Sequence, residues 1–209
     1  MSKKIIITIA RQYGSGGREI GEKLSQALGI PLYDKEIIRT AANDGNLDHG
    51  VAIKADETAA SSLLYTLAMG SNVVETTMAF GYRMPINDKL FILQSDAIKS
   101  YAKEGSCIII GRCADYVLRN EANLLRLFIY GDLDHRKARV EQRHPEVKSS
   151  QIIDLINKTD KRRSSYYNFY TGNKWGKYDN YDVAINSSTF GIDGTVELLY
   201  NLAKQLMED

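Results

Sequence analysis

Apolar and polar positions follow two rhythms along this chain. The run IIITIA at residues 5–10 is short, β-branched and nearly unbroken, which predicts a strand buried on both faces of a parallel sheet. Directly behind it, Arg18 to Leu28 carries Ile20, Leu24, Ala27 and Leu28 at i, i+4, i+7 and i+8, one stripe of a helix, with Gly29 as its stop. Ile30 to Asp34 fits a second strand. From Asp88 the pattern DKLFILQSDAIKSYAKEG predicts a helix ending at Gly105, then a strand from Cys107 to Ile110 and a glycine turn at Gly111. Leu124 to Tyr130 reads as a further strand, Asp134 to Arg143 as a helix, and Ser149 or Ser150 as the cap of a long helix running into the 160s. A last strand is expected at Tyr181 to Ile185. The closing helix, Asp193 to Met207, would place Val196, Leu199, Leu202, Ala203 and Leu206 on one side.

Strands alternate with helices almost throughout, so the expected class is α/β with a doubly wound parallel sheet. Residues 43–87 break the rhythm: NDGNLDHG is turn-rich, and SSLLYTLAMGSNVVETTMAFGYRMP mixes apolar and small residues without a clean period. This stretch is read as a mainly helical insertion into one domain spanning residues 1–209.

Composition narrows the classes. Hydrophobic residues at 44% and charged residues at 25% are those of an ordinary soluble protein, and a formal net charge of +1 gives no global reason to expect nucleic acid or a lipid surface as partner. The apolar runs are too short to cross a bilayer, and MSKK leads straight into the first strand without a leader pattern, so a cytoplasmic location is expected. The two cysteines, Cys107 and Cys113, form no CxxC pair and are read as reduced thiols near one strand end. His49, His135 and His144 are too scattered for a metal cluster or a catalytic triad.

The chemistry concentrates at GSGGREIG, residues 14–21, between the first strand and the first helix. Gly14, Gly16 and Gly17 supply the small residues with which backbone amides and a helix N-terminus cradle an anion; the same glycines also serve a tight turn. In the usual GxxxxGK[ST] loop a lysine reaches the β and γ phosphates. Here Gly17 stands at the lysine position and Arg18 follows it. Arg18 is the expected substitute, its alternative being a solvated first-turn residue. Ser15 is a weak magnesium-ligand candidate and Glu19 stands where a hydroxyl is typical, so the metal ligands stay unassigned.

Positive charge is also local. Between Arg136 and Arg163 nine Lys/Arg face four Asp/Glu, five positive charges in excess within a nearly neutral chain. Arg136, Arg139 and Arg143 fall at i, i+3 and i+7 and share a helical face, by itself a solvated charge stripe; together with the glycine loop and Arg112, Arg139 is the preferred phosphate contact. The aromatic block YYNFYTGNKWGKYDNY, residues 166–181, holds Tyr166, Tyr167, Phe169, Tyr170, Trp175, Tyr178 and Tyr181. These are expected to pack as core rather than to bind nucleic acid.

Taken together, IARQYGSGGREIG, the LYD at Leu32 to Asp34, IIIGR at Ile108 to Arg112, LFIYGDLDHRKARV, TDKRR at Thr159 to Arg163 and SSYYNFYTGNKWGKYDNYDVAIN resemble the cytidylate kinase-like branch of the P-loop nucleoside monophosphate kinases. The resemblance implies a P-loop NTPase three-layer fold, with a monophosphate-binding insertion at about 43–87 and a lid at about 144–163. It implies that residues 14–19, Gly14, Ser15, Gly16, Gly17, Arg18 and Glu19, hold ATP, used with Mg2+. Asp34, Arg112, Asp160 and Arg163 would hold the acceptor, and Arg18, Arg112, Arg139 and Arg163 would serve catalysis.

Two departures matter. Cys113 stands where the family's GRD motif has its carboxylate, and Ile156 stands four residues before Asp160 where an arginine is usual. The expected activity is phosphoryl transfer from ATP to CMP or dCMP. A kinase for another small metabolite, or a nucleotide-binding module with little turnover, are the other readings. The expected partners are small-molecule nucleotides, neither nucleic acid nor membrane, with the oligomeric state open.

Overall fold

The computed structural model describes residues 3–48, 50, 52 and 85–208. Strand β1 (Ile6–Arg11) is followed by α1 (Gly17–Leu28), β2 (Leu32–Tyr33) and α2 (Lys35–Asp44). Then come α3 (Ile86–Glu104), β3 (Cys107–Ile110), the short α4 (Ala114–Val117) and β4 (Leu124–Tyr130). The chain ends with α5 (Leu133–Arg143), α6 (Ser149–Thr171), a 3-10 turn (Tyr178–Asn180), β5 (Val183–Asn186) and α7 (Ser187–Glu208). The strands form one sheet in the order β2-β3-β1-β4-β5, with every pairing parallel. Most of the helical insertion expected at 43–87 lies outside the described residues.

The period of two in β1 explains the layering, because successive side chains point to opposite faces. Ile5, Ile7 and Ile9 join Ile108, Ile110, Leu125, Leu127 and Ile129 under α1 and α7, where Ile20, Leu24, Leu199 and Ala203 are buried. Ile6, Cys107 and Ile109 face the other way, against Ile37, Ala97, Ile98, Ala102 and Leu118. Burying side chains such as Ile20 and Leu24 stabilises the layers by roughly 1.5–3 kcal/mol each. With both faces covered, the strands favour apolar residues on either side, which is why β3 is apolar throughout and β1 nearly so, Thr8 being its one buried polar residue.

Three expectations change. The second strand shortens to two residues, pairing only Leu32 with Ile108 and Tyr33 with Ile109, at the sheet edge. The long helix is capped by neither serine: Lys148 is the cap residue, and the Ser149 hydroxyl donates instead to the Glu141 carboxylate on α5. The closing helix begins directly after β5 and breaks at Gly191 (φ 67°, ψ 177°), so its buried stripe ends near Met207, and Leu206 stands 43% exposed. The two free cysteines are buried at opposite ends of β3, Cys107 as its first residue and Cys113 beyond its last. Burial pushes the Cys107 thiol up to about 11. Among the described residues, no helix is long and apolar enough to cross a membrane.

Candidate active site

The glycine loop leaves β1 and enters α1 with its carbonyls tied down. Ser15 donates to the Gln12 carbonyl from both its backbone amide (3.3 Å) and its hydroxyl (2.9 Å). The Ser187 hydroxyl donates to the Ser15 carbonyl at 2.6 Å, and Arg136 donates to the Tyr13 carbonyl at 3.3 Å. The first-turn amides of a helix lack carbonyl partners within it, so the front of α1 presents donors and a partial positive charge. The glycines are required by their surroundings. At Gly14 (φ 81°) a Cβ would lie 2.8 Å from the Arg136 carbonyl oxygen, and at Gly16 (φ 79°) one would lie 2.3 Å from Ile192 Cδ1 and 3.3 Å from Arg139 Nη2. Both hold left-handed backbone where a side chain is strained. The loop is therefore pressed between α5 and α7 at its back.

Asp160 on α6 fastens this loop. One carboxylate oxygen accepts from the Tyr13 amide at 2.7 Å and the other from Arg136 Nη1 at 2.6 Å. Both oxygens of a residue expected at the acceptor thus serve the loop, and Arg136 is buried in doing so. Beside them, Glu19 accepts from Arg139 at 2.6 Å and Arg143 at 3.2 Å. The Arg139 hydrogen bond chiefly holds the Glu19 carboxyl below its ordinary range.

At the same C-terminal end of the sheet, β3 runs into three consecutive left-handed residues, Gly111 (φ 72°), Arg112 (φ 52°) and Cys113 (φ 55°). For the two non-glycine residues this conformation costs of order 1–3 kcal/mol each. It folds the Arg112 side chain back under the sheet end, where it donates to Asp34 at 3.0 Å and to the Ile110 carbonyl at 3.1 Å. Asp34, buried at the start of α2, also lies 3.4 Å from Arg18 Nε. Arg18 is half exposed on α1 and pairs with Glu22 at 3.0 Å; its side chain runs along the helix toward Asp34.

Between the end of β1 and this turn opens a small cleft lined by Arg11, Arg112 and Arg163, by Cys113 and Asp115, and by the aromatics Tyr166, Tyr167 and Trp175. Arg163 donates to the Arg11 carbonyl at 3.1 Å, and its guanidinium stands over the Tyr13 ring. The aromatic block behaves as core on its other side: Phe91 stacks on Tyr170 at 4.1 Å, Tyr166 donates to Gln94, and Tyr170 donates to Asp88. Trp175 stands edge-on to Phe128.

Asp115 answers one departure noted in the sequence. The carboxyl absent at Cys113 reappears two residues later in the same cleft. It was missed because only the left-handed turn at 111–113 brings that position back to the opening. Burial pushes the Asp115 carboxyl up, while the Tyr167 phenol, donating at 2.7 Å, holds it down in part. Its raised folded-state value means the native protein binds this proton more tightly than the unfolded chain, so its contribution to stability falls as pH rises from the unfolded carboxylate range through the folded value. Asp115→Asn should therefore flatten part of the loss of stability with rising pH, read as the variant's urea midpoint relative to wild type at pH 4, 6 and 8. A constant difference across that series would remove the assignment.

Ile156 answers the other. It is fully buried with Val140 and Ile152 between α5 and α6, so position 156 is core and faces no ligand.

Among the described residues no three His, Cys, Asp or Glu side chains gather as a metal site. With the Ser15 hydroxyl engaged by Gln12 and Glu19 engaged by two guanidinium groups, the donor set does not fit a resident magnesium ion.

A parallel five-stranded sheet with a glycine loop at the first strand's end defines the P-loop kinase fold. The model of the cytidylate kinase-like family matches residues 6–189, and the chain belongs to that family. Among solved structures, an uncharacterized protein from Eubacterium ventriosum ATCC 27560 is 27% identical over 96% of this chain and 98% of its own, with a TM-score of 0.70. A shikimate kinase from Bacteroides thetaiotaomicron (12% identity, 96% and 98% covered, TM-score 0.53) and a gluconokinase from Sinorhizobium meliloti 1021 (14%, 100% and 96%, 0.50) share the fold. No curated protein matches the chain. Family and fold together support a phosphotransferase built on a nucleotide-binding kinase scaffold.

Proposed function

We propose that this protein transfers a phosphoryl group from ATP to a nucleoside monophosphate, with CMP or dCMP as the acceptor. The observation that carries the reading is the cleft itself, in which three arginines, a buried carboxyl and an aromatic wall meet where β1 and β3 end. Guanidinium groups suit phosphate oxygens, while flat rings and a carboxyl suit a base bearing an amino group. Phosphoryl transfer brings highly charged oxygens into line, so the protein's work is positioning, charge neutralisation and exclusion of water.

In this reading the amides of residues 14–19 hold the donor phosphates, with Arg139 beside Gly16. Arg112 and Arg163 hold the acceptor phosphate, and Asp34, itself set by Arg18, fixes the Arg112 fork. Asp160 holds the loop. Magnesium enters as part of the nucleotide substrate.

A second reading keeps the reaction and changes the acceptor to another small metabolite, and buried Ile156 favours it, since an expected base-side arginine is replaced by core. ADP release measured across CMP, dCMP, UMP, AMP, GMP and non-nucleotide acceptors tests both. Turnover with CMP or dCMP at least tenfold above the rest is expected. Turnover confined to a non-nucleotide acceptor supports the second reading, and tight ATP binding with no turnover on any acceptor would leave a binding module.

A further inference from the structure

Arg18 does not stand where the loop's missing lysine would. A side chain at position 17 would leave the backbone toward Arg11, because an ideal Cβ on Gly17 falls 2.6 Å from Arg11 Cβ, 3.2 Å from Arg11 Cγ and 3.2 Å from Ile129 Cβ. The Arg11 stem occupies the volume that a lysine at 17 requires. The two positions are linked: with arginine at the end of β1, residue 17 has to be glycine.

Arg11 itself lines the cleft together with Arg112 and Arg163, and its backbone is fixed on both sides. It pairs in register with Ile129 of β4, and its carbonyl accepts from Arg163 at 3.1 Å. A rigid strand end is a more precise mount for a phosphate contact than a loop. Arg18, by contrast, is 47% exposed and directed toward Glu22 and Asp34.

We infer that Arg11 supplies the donor-phosphate cation that the glycine loop lacks, its stem having exchanged places with the side chain of residue 17. The inference rests on the kinase reading above and specifies its polyphosphate site. Arginine at this place offers a planar fork where a lysine offers a point charge, so Arg11→Lys is not an equivalent replacement.

The test uses calorimetric titration with magnesium-ATP and with inorganic tripolyphosphate, and steady-state kinetics, on the full chain. Arg11→Ala is expected to weaken binding of both probes at least tenfold and to raise KM for ATP, with the KM for the acceptor unchanged. Gly17→Lys alone should bind neither probe more tightly than wild type and should lower the melting temperature, because the Arg11 stem is in the way. In Arg11→Gly/Gly17→Lys the Arg11 Cβ, 2.6 Å from an ideal Cβ at 17, is gone as well, so the vacated volume accepts the lysine, and affinity for tripolyphosphate should recover at least threefold over Arg11→Gly. If Arg11→Ala does not fold, Arg11→Gln, which keeps the stem without the charge, carries the same expectation.

Wild-type affinity for both probes in Arg11→Ala, a rise in acceptor KM alone, or a double variant no tighter than the single one overturns the exchange. Wild-type protein without affinity for either probe overturns the kinase reading itself, and Arg11 with it.

Discussion

Arg112→Ala is expected to lower turnover about 100-fold or more and to destabilise the fold by about 3 kcal/mol, toward the lower end of what breaking a buried ion pair costs. The side chains of Arg112 and Asp34 are 3% and 9% exposed, so removing the guanidinium leaves a carboxylate in a dry site. Arg18, 3.4 Å from the other Asp34 oxygen, keeps part of the compensation, which is why the lower end applies. The strained turn at 111–113 adds to the effect, since its cost is repaid only while Arg112 holds Asp34 and the Ile110 carbonyl. Denaturant unfolding and initial rates check the two parts. Asp34→Asn combined with Arg112→Ala removes both charges and should regain most of the stability while turnover stays low. If that double variant regained turnover as well, Arg112 would be a structural residue only.

The framework of the fold was legible because burial on both faces leaves a plain record. IIITIA, the CIII of β3 and the stripe of Ile20 and Leu24 needed no tertiary information. What misled lay where context overrides local pattern. Ile30 to Asp34 reads as a strand, yet only Leu32 and Tyr33 pair in register with β3 at the sheet edge. Leu206 falls in the helical stripe by spacing, yet the register of α7 is set by packing across Ile192, Val196, Leu199, Ala203 and Met207.

The site divides in the same way. The glycines and Arg112 are local signals at the ends of obvious strands. Arg11 was hidden as the last letter of a strand, and its meaning appears only when Gly17 is seen against its stem. The split of the positive charge was equally invisible. Arg136, Arg139 and Arg143 share a face by spacing, but one pairs with Asp160 and the other two with Glu19, partners far away in sequence. A charge excess counted along the chain therefore overstates what is available to a ligand. The guanidinium groups that line the cleft come from three different elements.

Asp160→Ala is expected to cost about 2–3 kcal/mol of stability and to weaken magnesium-ATP binding at least tenfold, with little change in acceptor KM. The magnitude follows from two losses. Arg136, whose side chain is 10% exposed, would keep its charge without its carboxylate partner, and the Tyr13 amide would lose an acceptor at 2.7 Å. Asp160 is itself 18% exposed, which lets water repay part of the first loss. The loop then keeps its glycines but not its fixed position, so amides that must converge on phosphates are held less closely. Adding Arg136→Met to Asp160→Ala should recover stability, because no buried charge is left, without recovering ATP affinity. The opposite pattern, a raised acceptor KM with ATP binding and melting temperature unchanged, would return Asp160 to the acceptor side, where the family resemblance first placed it. The two roles make opposite demands on the same carboxylate: both its oxygens already meet donors from the loop and α5, so an acceptor contact requires the clamp to open.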